Sequence, residues 1–245
     1  MSYDKTRVQT HDGPMTVHIV TPDKETGKLP ALIVLQEAFG VNHHILNVCK
    51  KLAEQGYVAL APELFHRAGE GVQIEYTNFA AARPIIAELT NARMVDDLAQ
   101  TYKLAQTLPT VNSAAIGTIG FCMGGVAAVL AACHLDIQAA ISYYGGGMTE
   151  ERPGFGFKPF MNEFKSIKCP VLLGFGEADQ SIPPQQIELI KAQLKAAGVT
   201  QEIIIYPEAG HGFLCDERSA FHPKMADKGW KDIFNWLKHC GTMNL

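Results

Sequence analysis

The chain has 245 residues, 47% of them hydrophobic, and a formal net charge of −4. That length suits one domain, residues 1–245, with a core burying roughly three quarters of the unfolded surface. The mild acidic balance lacks the basic footprint of a nucleic-acid binder, and no lysine- or arginine-rich amphipathic segment points to a membrane surface. No apolar run approaches bilayer length, and the polar opening "MSYDKTRVQTHDG" is unlike a secretory signal. Six cysteines (Cys49, Cys122, Cys133, Cys169, Cys215 and Cys240) lack paired or metal-type spacing. Reduced thiols in a cytoplasmic setting are the expectation. The adjacent His43 and His44 lack cysteine or acidic partners at ligand spacing, so no metal site is expected.

In chain order, "KTRVQT" and "MTVHIVT" read as strands joined by a turn at "HDGP". The continuous apolar run "ALIVLQ" is a strand covered on both faces. "NHHILNVCKKLAEQG" is helical, with Asn42 as N-cap, Ile45, Cys49, Leu52 and Ala53 on one face, and Gly56 as its stop. "YVALAP" is a short buried strand. Residues 65–90 are the least regular part, with "HRAGEGVQ" a loop. Helix "MVDDLAQTYKLAQTL", strand "AAIGTIGF", helix "GGVAAVLAAC" and strands "QAAISYYG" and "PVLLGFG" follow. Helix "PQQIELIKAQLKAAG", strand "EIIIYP" and a closing helix near "GWKDIFNWLKHC" complete the chain. Strands alternating with helices predict an α/β fold: a mostly parallel, doubly wound sheet with helices on both faces.

Sites on such sheets gather beyond the carboxyl ends of the strands. There, "GFCMGG" (120–125) matches the glycine-x-nucleophile-x-glycine elbow with Cys122 at the nucleophile position. Gly120 and Gly124 must be small because strand and helix are pressed together at that turn. The helix that follows aims its first amides at the sulfur, where they stabilise a thiolate and can donate to an oxyanion. His211, in "PEAGHGF", follows strand "EIIIYP"; Asp179, in "GEADQSIP", follows "PVLLGFG". Taken singly, His211 fits a solvated loop and Asp179 fits turn chemistry, with Glu177 a competitor for any functional role. Together they give the order nucleophile, acid, histidine of the α/β-hydrolases, in which histidine takes the nucleophile's proton and the acid fixes its tautomer. Glu37, at the end of the third strand, can contact Cys122 or serve as a loop acid, and the neighbouring Ala38 amide is placed to be an oxyanion donor.

With "QEAFGVN", "GFCMGG", "SYYGGG", "GEADQSIP" and "AGHGF" in place, nearly the whole chain resembles the dienelactone hydrolase family, the cysteine branch of the α/β-hydrolase fold. The resemblance implies a triad of Cys122, Asp179 and His211, with Glu37 as the acid that activates the resting thiol. It implies oxyanion amides from Met123 and Ala38. It further implies hydrolysis of enol-lactones and other small-molecule esters through a thioacyl-enzyme, with no metal or organic cofactor. Muconate-pathway members also carry two arginines for a substrate carboxylate. Here Cys215 stands about where the one after the histidine is expected, and Arg218 is a substitute. For the other, Arg83 has better spacing from "ELFHR" than Arg67 or Arg93. Tyr144 either lines the pocket or packs. The alternative reading is a thiol redox sensor or a non-hydrolytic binding protein on the same fold. The oligomeric state is not legible in the sequence.

Overall fold

The computed structural model of the protein describes residues 1–23 and 27–244. Its frame is an eight-stranded sheet in the order β1-β2-β4-β3-β5-β6-β7-β8. Strands β1 (Ser2–Thr10) and β2 (Gly13–Thr21) form a hairpin about a two-residue turn, in register from Ser2↔Thr21 to Thr10↔Gly13. This is the antiparallel edge; β2 also pairs antiparallel with β4 (Val58–Pro62). From β4 onward all pairing is parallel, through β3 (Leu29–Leu35), β5 (Val111–Phe121), β6 (Ala140–Tyr143), β7 (Val171–Gly176) and β8 (Gln201–Tyr206). β4, β6 and β7 are buried along their whole length, which accounts for the unbroken apolar runs of β4 and β7.

Helix α1 (His43–Glu54) begins where its sequence predicts, with the Asn42 side chain accepting from the Ile45 amide at 3.2 Å. Helices α3 (Asn91–Thr107), α4 (Met123–His134), α5 (Pro184–Ala196) and α6 (Pro223–Leu237) match the predicted positions. Right-handed crossovers put α1 on one face and α3, α4 and α5 on the other, because the chain reverses direction across the sheet after β4. In agreement, α3 packs on α4, while Lys51 of α1 lies 5.1 Å from the Trp230 ring of α6. The stretch read as irregular contains a helix, α2 (Phe79–Ala87), with Pro84 inside it. Nine residues are too few to display a helical period, and an internal proline argues against one. Among the described residues no helix is long and apolar enough to cross a membrane.

The reversal places the switch point between β3 and β5. Leu35 pairs in register with Gly120, so the two strands end level. The end of β3 thereby sets Gln36–Ala38 beside the turn that holds Cys122, the crevice where ligands of such sheets bind.

Candidate active site

Cys122 joins β5 to α4 with φ 55° and ψ −119°, a backbone conformation that is unfavourable for a side chain. Such a residue costs about 1–3 kcal/mol and persists only where its surroundings over-determine it. They do here: the Cys122 amide donates to the Tyr143 carbonyl at 3.0 Å, and the Cys122 carbonyl accepts from the Gly125 amide at 3.0 Å. The glycines are required by contact. A Cβ on Gly120 would lie 1.9 Å from the Gly124 carbonyl oxygen, and one on Gly124 would lie 2.2 Å from that of Leu35. The turn turns the sulfur outward: Cys122 is half-buried, whereas the other five cysteines are buried.

Asp179 follows β7 and His211 follows β8, and the fold brings them together. The His211 Nδ1–H donates to Asp179 Oδ2 at 2.7 Å, leaving Nε2 for the sulfur. Burial opposes charge on His211. The negative charge of the Cys122 sulfur, its hydrogen bond and that of Asp179 outweigh this and push the imidazole up to about 10. Burial likewise works against an ionised Asp179, but hydrogen bonds from His211 and Ser181 hold its carboxyl below the ordinary range. Glu177, the competing acid, is exposed and accepts from the Glu208 amide instead. Ser181, which the sequence reading passed over, donates from its hydroxyl to Asp179 Oδ1 at 2.6 Å and from its amide at 2.9 Å. Its oxygen also lies 3.1 Å from His211 Nδ1.

These groups open into a cavity of about 360 Å³ whose walls include Ala38, Phe39, Met123 and Tyr144. Among the described residues, neither the Ala38 nor the Met123 amide donates to a protein acceptor, so both are available to an oxygen beside Cys122. Tyr144 both lines the cavity and packs: it is fully buried, with its ring centroid 5.2 Å from that of His211. Burial, then the nearby charges of Glu37 and Cys215, pushes its phenol well above the ordinary value.

Residues 15–241 of the chain match the dienelactone hydrolase family model. The chain belongs to the dienelactone hydrolase family. It is 34% identical over 240 residues to the "Putative carboxymethylenebutenolidase" of Yersinia pestis, covering 97% of this chain and 88% of that one. It is 37% identical over 209 residues to the protein of the same description from Synechocystis, covering 84% and 85%. Among solved structures it is similar to a "Putative Dienelactone Hydrolase" of Klebsiella pneumoniae, with a TM-score of 0.86, 30% identity, and 96% and 97% coverage. The α/β-hydrolase fold and the membership of this hydrolase family agree with the reading of the sequence.

Of the remaining residues, Arg218 lies at the cavity, whereas Glu37 and Arg83 sit otherwise than expected. Glu37 is buried, but its carboxylate is held by Arg218 rather than Cys122, with Arg218 Nη1 donating to Glu37 Oε1 at 2.8 Å. A guanidinium is the stronger partner for a buried carboxylate. Arg218 also lies over Phe39 at 5.4 Å and lines the cavity, as a substitute for the arginine whose expected position Cys215 occupies. Arg83 is exposed, lies 5.9 Å from the Phe79 ring and is not part of the lining, because α2 turns it outward. Arg67 is engaged by Asp97 and Asp12, and Arg93 by Glu88 and Asp12. The second cation at the cavity is Arg152, from the loop after β6, with Nη2 donating to the Ser181 carbonyl at 2.7 Å. The same loop contributes Phe155 and Phe157 to the wall. Its "ERPGFGF" is rich in glycine and aromatic residues, the one sequence signal that could have drawn attention to it.

Proposed function

We propose that this member of the dienelactone hydrolase family cleaves a carboxylic ester or lactone through a thioacyl-enzyme on Cys122, with His211 and Asp179 completing the triad. The observation that carries the reading is the strained, half-buried Cys122 sharing one cavity with His211, whose other ring nitrogen is held by Asp179.

His211 takes the Cys122 proton, and the Asp179 carboxylate stabilises the imidazolium that results. The thiolate attacks the acyl carbon, and the carbonyl oxygen becomes an oxyanion held by the Ala38 and Met123 amides. As the tetrahedral intermediate collapses, the C–O bond breaks and the imidazolium returns its proton to the alkoxide. Water, deprotonated by His211, then cleaves the thioester and restores the thiol. No metal or organic cofactor is required by these steps. The substrate is a small molecule with an apolar acyl portion, fitted to Phe39, Phe79, Phe155 and Phe157, and a carboxylate facing Arg152 and Arg218. An anion at Arg218 competes for the guanidinium and frees Glu37 to act on the thiol, which gives Glu37 its activating role.

The test is a panel of esters and lactones, including dienelactone, assayed on the wild type and Cys122→Ala with mass spectrometry of the intact protein. Acyl-enzyme on Cys122 and loss of turnover in Cys122→Ala are expected. Unchanged hydrolysis by Cys122→Ala would refute the assignment. Stoichiometric oxidation of Cys122 by peroxide without hydrolysis of any panel member would favour the sensor reading instead. Against that reading stands the Asp179–His211 pair, for which a sensor thiol has no use.

A further inference from the structure

Behind the cavity the fold assembles three donors that are far apart in the chain. Glu37 follows β3, His44 lies in the first turn of α1, and Cys215 follows His211 in the loop after β8. All three are buried, and one carboxylate oxygen, one imidazole nitrogen and the sulfur lie within 4.8 Å of one another. Two of these side chains have an atom without a hydrogen-bond partner: Glu37 Oε2 and His44 Nε2 are both fully enclosed. Their residues are only 1% and 4% exposed. Leaving such atoms unpaired is costly in a protein interior, so the arrangement fits a ligand that all three share.

We propose that Glu37, His44 and Cys215 form a binding site for a zinc-like divalent transition-metal ion. Mixed oxygen, nitrogen and sulfur donors suit a borderline-soft ion and not calcium or magnesium, which take oxygen ligands. The other ring nitrogen of His44 lies near a carboxylate, although beyond hydrogen-bond length. This Nδ1 faces the Asp216 carboxylate at 3.7 Å, and the ring packs against Phe121 at 6.3 Å. His44 and Asp216 also line a surface groove of about 290 Å³ whose other charged groups are Asp227 and Lys51, a net acidic approach by which a cation reaches the buried donors. On binding, the Cys215 S–H, now donating to the Tyr76 hydroxyl at 3.2 Å, releases its proton to solvent and the thiolate ligates the ion. No ligand spacing exists in the sequence because the site depends on tertiary contact alone. Since Glu37 is shared with the hydrolytic site, occupancy fixes its carboxylate on the metal and suppresses hydrolysis. That second effect rests on the proposed function; the binding does not.

The experiment titrates chelator-treated protein anaerobically with Co²⁺ and follows the thiolate-to-cobalt charge-transfer absorption. One equivalent should develop the band in the wild type and equally in Cys122→Ala, which excludes the catalytic thiol as its source. Cys215→Ser should lose the band. Asp216→Asn, an exposed change that leaves the core intact, should weaken Co²⁺ by about tenfold or more. Circular dichroism checks the fold of each variant. In parallel, Zn²⁺ inhibition is measured relative to the metal-free rate of each variant, and Cys215→Ser should need at least about tenfold more zinc. Absence of a band in the wild type, or a band lost in Cys122→Ala and kept in Cys215→Ser, would overturn the site. If no ester is hydrolysed at all, the function proposed above fails while the cobalt titration still decides this one.

Discussion

Adding one methyl group at Gly124 should damage stability and turnover together, by amounts that the contacts at the elbow set. A Cβ there meets the Leu35 carbonyl oxygen at 2.2 Å and that of Gln36 at 2.5 Å, both backbone atoms. Ordinary contact begins near 3.4 Å, so the start of α4 must move from the end of β3 by roughly 1.2 Å. Overpacking of this kind costs about 1–3 kcal/mol. For a chain of this size that lowers Tm by about 2–12 °C. The movement also separates the Met123 amide, on α4, from the Ala38 amide, beyond β3, and so widens the gap in which an oxyanion would sit. A misplacement of about 1 Å can cost about 100-fold in rate. Gly124→Ala should therefore lose about 100-fold in kcat on an activated ester with KM little changed. Gly210→Ala is the control for stability, since its Cβ would meet only the Ala220 Cβ at 3.9 Å. Thermal melts and steady-state kinetics of the two variants provide the comparison. Wild-type kcat and Tm in Gly124→Ala would refute the argument that the glycine is imposed by the strand–helix contact.

Asp179→Asn should reduce kcat/KM by about 10³–10⁴-fold, because an amide can leave His211 in the wrong tautomer for accepting the thiol proton; stopped-flow acylation measures it. NMR titration of His211 should place the imidazole above its ordinary range, toward about 10, once the neighbouring sulfur carries its charge. In Cys122→Ala its titration should move down in pH, since burial remains and the sulfur's charge is gone; an unmoved titration would contradict the coupling. Arg152→Ala should raise KM by about 10- to 100-fold for esters bearing a carboxylate and leave neutral esters little changed, consistent with loss of one charge-assisted hydrogen bond worth about 1.5–3 kcal/mol. A uniform effect on both substrate sets would assign Arg152 to the loop instead of the ligand.

The parts of the site that local chain geometry dictates were legible before any coordinates. Buried strands such as β4 and β7 carry unbroken apolar runs, and the elbow advertises itself because only glycine fits at Gly120 and Gly124. The order of Cys122, Asp179 and His211 follows the order of strand ends, so it survives in one dimension. What escaped the reading depends on contacts between distant segments. Glu37 meets Arg218 across 181 positions, and nothing near either residue announces the pair. Arg83 had the better spacing, but spacing cannot show which side of α2 faces the cavity; Arg152 was hidden in a loop without periodicity. Ser181 resembled ordinary turn chemistry, which it also performs, with its amide and hydroxyl both bonded to Asp179.

The hydrogen bond from the Cys122 amide to the Tyr143 carbonyl ties the elbow to the neighbouring strand, so the sulfur is anchored to the centre of the sheet. The walls that would select a substrate are anchored elsewhere: Phe79 on a short proline-containing helix, and Arg152, Phe155 and Phe157 on the loop after β6. The proposed nucleophile and much of the wall proposed to recognise a substrate therefore rest on different parts of the fold. Sequence change in residues 148–157 or 65–90 can alter what enters the cavity without disturbing the bonds that hold the nucleophile.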